Sequence, residues 1–130
     1  MTSVRLAIAG LGLVGKRHAQ AISQLQGVEL AAVVDVAPGS AEDANTLRAS
    51  HFGLLEDCLA AGGIDGVILA TPTPQHVEQA MACVNFGLPT LIEKPIGVSV
   101  AEASALGDHA VQKDVPLAVG QHRRHIPLIA

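Results

Sequence analysis

Three glycines near the amino terminus have a spacing suited to holding phosphate groups. They lie in the segment GLGLVG, residues 10–15, between the apolar run Val4–Ala9 and a stretch of helical periodicity. In a strand-turn-helix unit of this kind, the first glycine permits a tight turn, the second lets backbone approach a pyrophosphate, and the third lets the helix pack on the strand. Free N–H groups at the helix start attract the anion. The turn residues that we predict to bind a dinucleotide are Gly10, Gly12, Leu13, Val14 and Gly15.

A carboxylate follows the second predicted strand at the distance that such a cofactor requires. Asp35 closes the run Val33-Val34-Asp35, about 20 residues after the last glycine, where it can accept hydrogen bonds from both hydroxyls of an adenosine ribose. The same carboxylate repels a 2′-phosphate, and residues 36–39 supply no arginine or lysine to neutralise one. NAD is therefore favoured over NADP as the cofactor.

The glycines and Asp35 also permit two other interpretations. In the first, the glycines only form a turn, and Asp35 ends a strand or caps a helix. In the second, the ligand is S-adenosylmethionine, since its folds also combine glycines with an acidic residue after the second strand. The third glycine and the later motifs argue against this second ligand.

Two later segments follow predicted strands and carry polar groups. Residues 70–76, ATPTPQH, form a double-proline turn that leads into a helix, and residues 91–95, LIEKP, end the fifth strand. Both lie at the carboxyl edge of the predicted sheet, where folds of this class bind ligands. Glu93 and Lys94 there are either a solvated ion pair before a strand-ending proline or groups beside the reactive half of a cofactor.

Apolar runs alternate with amphipathic stretches along the chain, which predicts repeated βα units. The predicted strands are about 4–9, 28–34, 66–70, 89–92 and 116–119, with a short edge strand at 51–53. The predicted helices are roughly 14–26, 40–49, 55–61, 75–86 and 99–113. The fold class is therefore α/β, a doubly wound, mostly parallel sheet of order 3-2-1-4-5-6 with helices on both faces.

Composition excludes several classes of protein. The 130 residues are 49% hydrophobic and carry a formal net charge of −4, and no basic face for nucleic acid emerges. The first apolar run is too short to span a membrane and has no signal-peptide pattern behind it, so we expect a cytoplasmic protein without membrane contact. Cys58 and Cys83 lack metal-ligand spacing, so we interpret them as buried reduced thiols and predict no metal site.

Together, GLGLVG with the following His18, Asp35, ATPTPQH, EKP and the closing GQHRR (residues 120–124) resemble the amino-terminal domain of the Gfo/Idh/MocA oxidoreductases. The resemblance spans essentially the whole chain and implies NAD-dependent hydride transfer between nicotinamide and a sugar- or polyol-like hydroxyl substrate. It implies that Lys94 is the catalytic lysine, which orients the reacting hydroxyl and stabilises its developing alkoxide. The further cofactor contacts implied by the resemblance are Thr71, Pro72, His76, Glu93, Lys94 and Arg123.

Three histidines support the resemblance less specifically. His18 matches a common family position, although from the residues alone a helix-surface or capping histidine is favoured over a catalytic one. His122 and His125 flank an arginine pair where the family more often has an aromatic residue, so no role is assigned to them. The resemblance also indicates a cis peptide bond between Lys94 and Pro95. In an X-Pro bond the cis form costs only about 0.5 to 1 kcal/mol relative to the trans form.

Members of this family continue into a second α/β domain that carries a histidine proton acceptor. Residues 1–120 are accordingly predicted to be the dinucleotide-binding domain and residues 121–130 the start of the connection to that second domain. We expect the 130-residue chain itself to be inactive, because an ammonium group such as that of Lys94 cannot take up the hydroxyl proton. The alternative is a free-standing NAD-sensing or partner-binding module. Exposed apolar surface near the last strand also predicts a homo-oligomer.

Overall fold

The computed structural model describes residues 3–120, which form one sheet of six strands in the order β3-β2-β1-β4-β5-β6. All five neighbouring pairs are parallel. The strands are β1 Val4–Ala9, β2 Val28–Val34, β3 Ser50–Phe52, β4 Gly66–Leu69, β5 Thr90–Glu93 and β6 Leu117–Gly120. Because all strands run in the same direction, their carboxyl ends lie at one edge of the sheet. The predicted order is confirmed, and the sheet is entirely parallel.

Five α-helices cover the two faces of this sheet. They are α1 Leu13–Ser23, α2 Ser40–Thr46, α3 Leu55–Ala61, α4 His76–Asn85 and α5 Val100–Lys113, with a 3-10 turn at Thr73–Gln75 before α4. Adjacent strand residues point to opposite faces, so Ile8 packs in the core beneath α1 and α2 while Ala7 packs in the core beneath α3, α4 and α5. The doubly wound arrangement follows from this alternation.

The predicted element boundaries differ from the structure mainly at two helix ends. Helix α1 ends at Ser23 rather than near 26, since the N–H groups of Gln24 and Leu25 bond three residues back and Gly27 turns the chain at φ +78°. Helix α2 ends at Thr46 rather than near 49, because Arg48 adopts a left-handed conformation with φ +61° before β3. The short edge strand β3 is confirmed, one residue earlier than predicted.

Both cysteines are free and lie in the core beneath α3, α4 and α5, with Cys58 1% exposed and Cys83 fully buried. Burial raises the pKa of the Cys58 thiol and raises that of Cys83 to about 11. The interpretation of the two cysteines as buried, reduced thiols is confirmed. A neutral thiol of this kind packs as a small apolar group.

Alkaline pH should destabilise the fold through Cys83. The unfolded thiol ionises near its ordinary pKa of 9.0, whereas the native thiol keeps its proton until about pH 11. Between these two pH values the unfolded state binds fewer protons than the native state, so the free energy of unfolding falls as pH rises. The stabilisation that comes from the buried neutral thiol is fully present below pH 9.0. The free energy of unfolding, measured with urea across this pH range, should decline more steeply for the parent than for Cys83→Ala. Parallel declines in the two proteins would contradict this account.

Candidate functional site

The glycine turn brings the end of β1, the start of α1 and the end of β4 into close contact. Gly10 has φ +90°, and a Cβ built on it would lie 2.6 Å from the carbonyl oxygen of Ala70. A Cβ on Gly15 would lie 1.9 Å from the carbonyl oxygen of Gly10. Neither position can hold a side chain without moving backbone. Gly12 differs, because a Cβ there meets nothing within 4 Å and would enter open space.

The start of α1 presents backbone donors to that open space. Gly12 is the N-cap residue and provides no side-chain cap, and the first helical hydrogen bond runs from Lys16 N–H to its carbonyl oxygen at 2.9 Å. The N–H groups of Leu13, Val14 and Gly15 precede this bond and have no acceptor within the helix. They carry the positive end of the helix dipole, which favours an anion at this place.

Asp35 follows β2 and is tied to the glycine turn. Its Oδ2 accepts a hydrogen bond from Leu11 N–H at 2.6 Å, and its Oδ1 accepts one from Ala37 N–H at 2.8 Å. Its carbonyl oxygen is also fixed, since His51 Nε2 lies 2.9 Å away. A carboxylate oxygen has two acceptor positions, so each oxygen of this half-buried group retains one for a ligand hydroxyl.

Two cavities at the carboxyl edge of the sheet meet at Thr71 and Pro72. The Asp35 cavity, of about 420 Å³, has Asp35, Val36, Leu54, Gln75 and Gln79 among its lining residues. The Lys94 cavity, of about 480 Å³, has Val14, Arg17, His18, His76, Glu93 and Lys94 among its lining residues. With Gly10 lining the first cavity and Val14 the second, the glycine turn contributes to both. The result is a cleft with two lobes that share the turn after β4.

The turn after β5 is held by two histidines. His18 Nε2 lies 2.6 Å from Oε1 of Glu93, and since a carboxylate only accepts, the imidazole donates. His76 is 1% exposed, with Nδ1 2.9 Å from the carbonyl oxygen of Pro95 and Nε2 2.6 Å from that of Thr71. The Lys94–Pro95 peptide is cis. His76 therefore connects the turn after β4 to the turn after β5.

Most residues singled out in the sequence lie along this two-lobed cleft or at the glycine turn between its lobes. Those lining a cavity are Gly10, Val14, Asp35, Thr71, Pro72, His76, Glu93 and Lys94. Gly12, Leu13 and Gly15 belong to the turn and the start of α1, whereas Arg123 lies outside the described residues. Sequence reasoning missed the partner of His18, and it missed Gln79, whose Oε1 accepts from Thr71 Oγ1 at 2.5 Å. The spacing of His18 after Gly15 was the available signal, since it places the residue one helical turn from the free N–H groups at the start of α1.

Within residues 3–120, no group of three or more histidine, cysteine, aspartate or glutamate side chains is arranged to hold a metal ion. Over the same span, no helix has both the length and the apolar character needed to cross a bilayer.

Residues 4–121 match the oxidoreductase family with an NAD-binding Rossmann fold, Gfo/Idh/MocA. The chain is 36% identical over 126 residues to 4-carboxy-2-hydroxymuconate-6-semialdehyde dehydrogenase of Sphingobium sp., covering 95% of this chain and 40% of that protein. It is 36% identical over 132 residues to UDP-N-acetylglucosamine 3-dehydrogenase of Acidithiobacillus ferrooxidans, covering 99% of this chain and 40% of that protein.

The fold of the chain is also similar to that of a solved dehydrogenase. Scyllo-inositol dehydrogenase of Lactobacillus casei, solved with NAD(H) and scyllo-inositol, superposes with a TM-score of 0.91 at 26% identity, over 97% of this chain and 38% of that one. The chain thus spans about 40% of the length of the curated relatives named above. It belongs to the Gfo/Idh/MocA oxidoreductase family, whose NAD-binding Rossmann domain it matches from Val4 onward.

Proposed function

We propose that the cleft binds NAD, with the adenosine half in the Asp35 cavity, the pyrophosphate at the glycine turn and the nicotinamide half in the Lys94 cavity. The observation that carries this proposal is the pair of cavities joined at Thr71 and Pro72 beside the start of α1. A dinucleotide has two nucleoside halves linked by two phosphates, and the donors of α1 lie where the phosphates would cross.

The chemistry around Asp35 supports NAD rather than NADP. Its carboxylate is fixed by Leu11 and Ala37, so it cannot turn away from a 2′-phosphate without losing two hydrogen bonds. Val36 is 81% exposed and lines the same cavity, where it offers an apolar surface instead of a cation. A fixed negative charge with no neighbouring cation at residues 36–39 disfavours the extra phosphate.

In the full-length protein we propose oxidation or reduction of a sugar- or polyol-like hydroxyl substrate. The bound cofactor supplies hydride chemistry, and Lys94 holds the substrate oxygen and stabilises negative charge that develops there. The inositol and UDP-sugar relatives favour this substrate class, and their greater length favours an enzyme over a free-standing NAD-sensing module. The chain's two reduced, buried thiols suit a cytoplasmic location, and homo-oligomerisation stays a prediction.

Asp35→Ala should weaken NADH binding by about tenfold, because it removes two charge-assisted acceptors for the ribose, and should narrow the preference for NADH over NADPH. Fluorescence titration of the chain with each cofactor measures both effects. Asp108→Ala, which removes an exposed aspartate from α5, serves as the control for net charge and should change neither affinity. Equal affinities of the parent for NADH and NADPH would contradict the assignment, and no NADH binding at all would overturn the proposed function.

Alanine at two of the glycines should separate binding from folding. Gly12→Ala places a methyl group in open space, so stability should change by less than about 0.5 kcal/mol while NADH affinity falls at least about tenfold through lost pyrophosphate approach. Gly15→Ala forces a Cβ to 1.9 Å from a carbonyl oxygen and should cost about 3 kcal/mol or more. Thermal unfolding and NADH titration of both variants check this. A Gly12 variant with parental NADH affinity would be inconsistent with phosphate binding at this turn.

Lys94→Ala in the full-length enzyme should lower kcat by roughly a hundredfold or more, since it removes a cation that stabilises the developing alkoxide. The Kd for NADH should stay within about threefold, which separates chemistry from cofactor binding. Lys113→Ala, on the exposed end of α5, controls for loss of a lysine. Unchanged turnover in the Lys94 variant would remove this residue from the mechanism.

A further inference from the structure

The side chain of Glu93 is held between α1 and β6. His18 Nε2 on α1 donates to Oε1 at 2.6 Å. On the other side, a Cβ built on Gly120 would lie 2.8 Å from Oε1 and 3.1 Å from Oε2, so the backbone of β6 passes directly against the carboxylate. The side chains of His18 and Glu93 are only 24% and 20% exposed, which shields their hydrogen bond from water. Charge-assisted bonds of this length are among the stronger ones in proteins.

The residue after Lys94 is also fixed. The carbonyl oxygen of Pro95 lies 2.9 Å from Nδ1 of the buried His76. Lys94 is therefore an exposed residue between two anchored neighbours, one held through its side chain and the other through its backbone. The direction in which Lys94 leaves the sheet is set by these two contacts.

His18 also determines where the negative charge of Glu93 lies. The side chains of Glu93 and Lys94 both line the Lys94 cavity, yet among the described residues no carboxylate lies within 4.0 Å of the Lys94 ammonium. Without a donor at position 18, the carboxylate is free to rotate toward the neighbouring ammonium, and opposite charges at about 4 Å attract appreciably when partly buried. An ion pair between Glu93 and Lys94 would neutralise the ammonium that the proposed chemistry needs at the substrate oxygen.

We propose that His18 is a positioning residue for the nicotinamide half of the cleft. It holds Glu93 against β6, and it thereby keeps the peptide and the ammonium of Lys94 in place for cofactor and substrate. This inference rests on the proposed NAD binding. A purely structural role explains the geometry less well, since Ala19 and Ile22 already anchor α1 in the core at 3% and 5% exposure, and the His18–Glu93 pair lines the Lys94 cavity.

The test compares two ligands that fill different parts of the cleft. NADH contacts both halves, whereas ADP lacks the nicotinamide and its ribose. His18→Ala should raise the Kd for NADH about tenfold, as expected for loss of one hydrogen bond to a charged group, and should leave the Kd for ADP within about twofold. His18→Gln keeps a donor amide and should restore NADH affinity to within about threefold of the parent. Calorimetry with each ligand measures all of these values.

A matched control comes from a similar hydrogen bond outside the cleft. His109 Nε2 on α5 lies 2.7 Å from Asn85 Oδ1 on α4, and His109→Ala should change neither Kd. Glu93→Gln, which keeps the side-chain size and weakens the same bond, should show the same selective loss of NADH affinity and serves if His18→Ala does not fold. Equal weakening of NADH and ADP, or no weakening of either, would overturn the positioning role while the parent still binds NADH. A parent that binds neither ligand would overturn the proposed function and this inference with it.

A second measurement needs no cofactor. The chain has three lysines, Lys16, Lys94 and Lys113, so reductive methylation with ¹³C-formaldehyde gives a simple NMR spectrum. The Lys94 methyl signal should move in His18→Ala and return in His18→Gln, while that of Lys113 stays constant. An unmoved Lys94 signal would contradict the claim that His18 controls the surroundings of this ammonium.

Discussion

The contact between Gly15 and the carbonyl oxygen of Gly10 is the constraint on which the cleft depends. With room for no more than a hydrogen atom at Gly15, the first turn of α1 lies directly against the end of β1. The close approach of Gly10 to Ala70, where a Cβ would lie 2.6 Å from the carbonyl oxygen, places the same turn against the end of β4. These two approaches locate the unpaired N–H groups of α1 between the Asp35 and Lys94 cavities, and they locate His18, one turn further along, beside the end of β5.

The polar contacts around this turn are already made by the protein itself. Asp35 accepts from Leu11 in the turn, and His76 links the turns after β4 and β5 through two backbone carbonyls. Groups fixed in this way lose little conformational freedom when a ligand arrives, which lowers the entropic cost of binding. The contacts of Asp35 and His76 therefore connect the glycine turn to the places proposed for the ribose and the nicotinamide.

Much of this arrangement was accessible from the sequence because its causes are local. Apolar runs that alternate with amphipathic stretches predict βα units, and the right-handed crossover rule with the usual order of dinucleotide-binding sheets predicts the strand order. The end of α2 was missed because it depends on a left-handed Arg48, which no sequence pattern announces. Glu93 as the partner of His18 and Pro95 as a partner of His76 were missed because they lie 75 and 19 residues away in the chain. Periodicity places a side chain on a helix face, but it does not say which loop from another strand meets that face.

The engagement of these histidines and of Glu93 bears on the chemistry proposed for Lys94. Oxidation of a hydroxyl requires a group that accepts its proton, and an ammonium has no acceptor position. Among the described residues that line the Lys94 cavity, Glu93 accepts from His18 at Oε1 and keeps acceptor positions at Oε2, while His18, which donates through Nε2, keeps Nδ1. The ring nitrogens of His76 face two backbone carbonyl oxygens, which only accept. Arg17, also in that lining, has no acceptor position. For the proposed reaction, this lobe therefore supplies the orienting cation, the cofactor contacts and acceptor positions on His18 and Glu93, of which the one nearest the bound hydroxyl would take its proton.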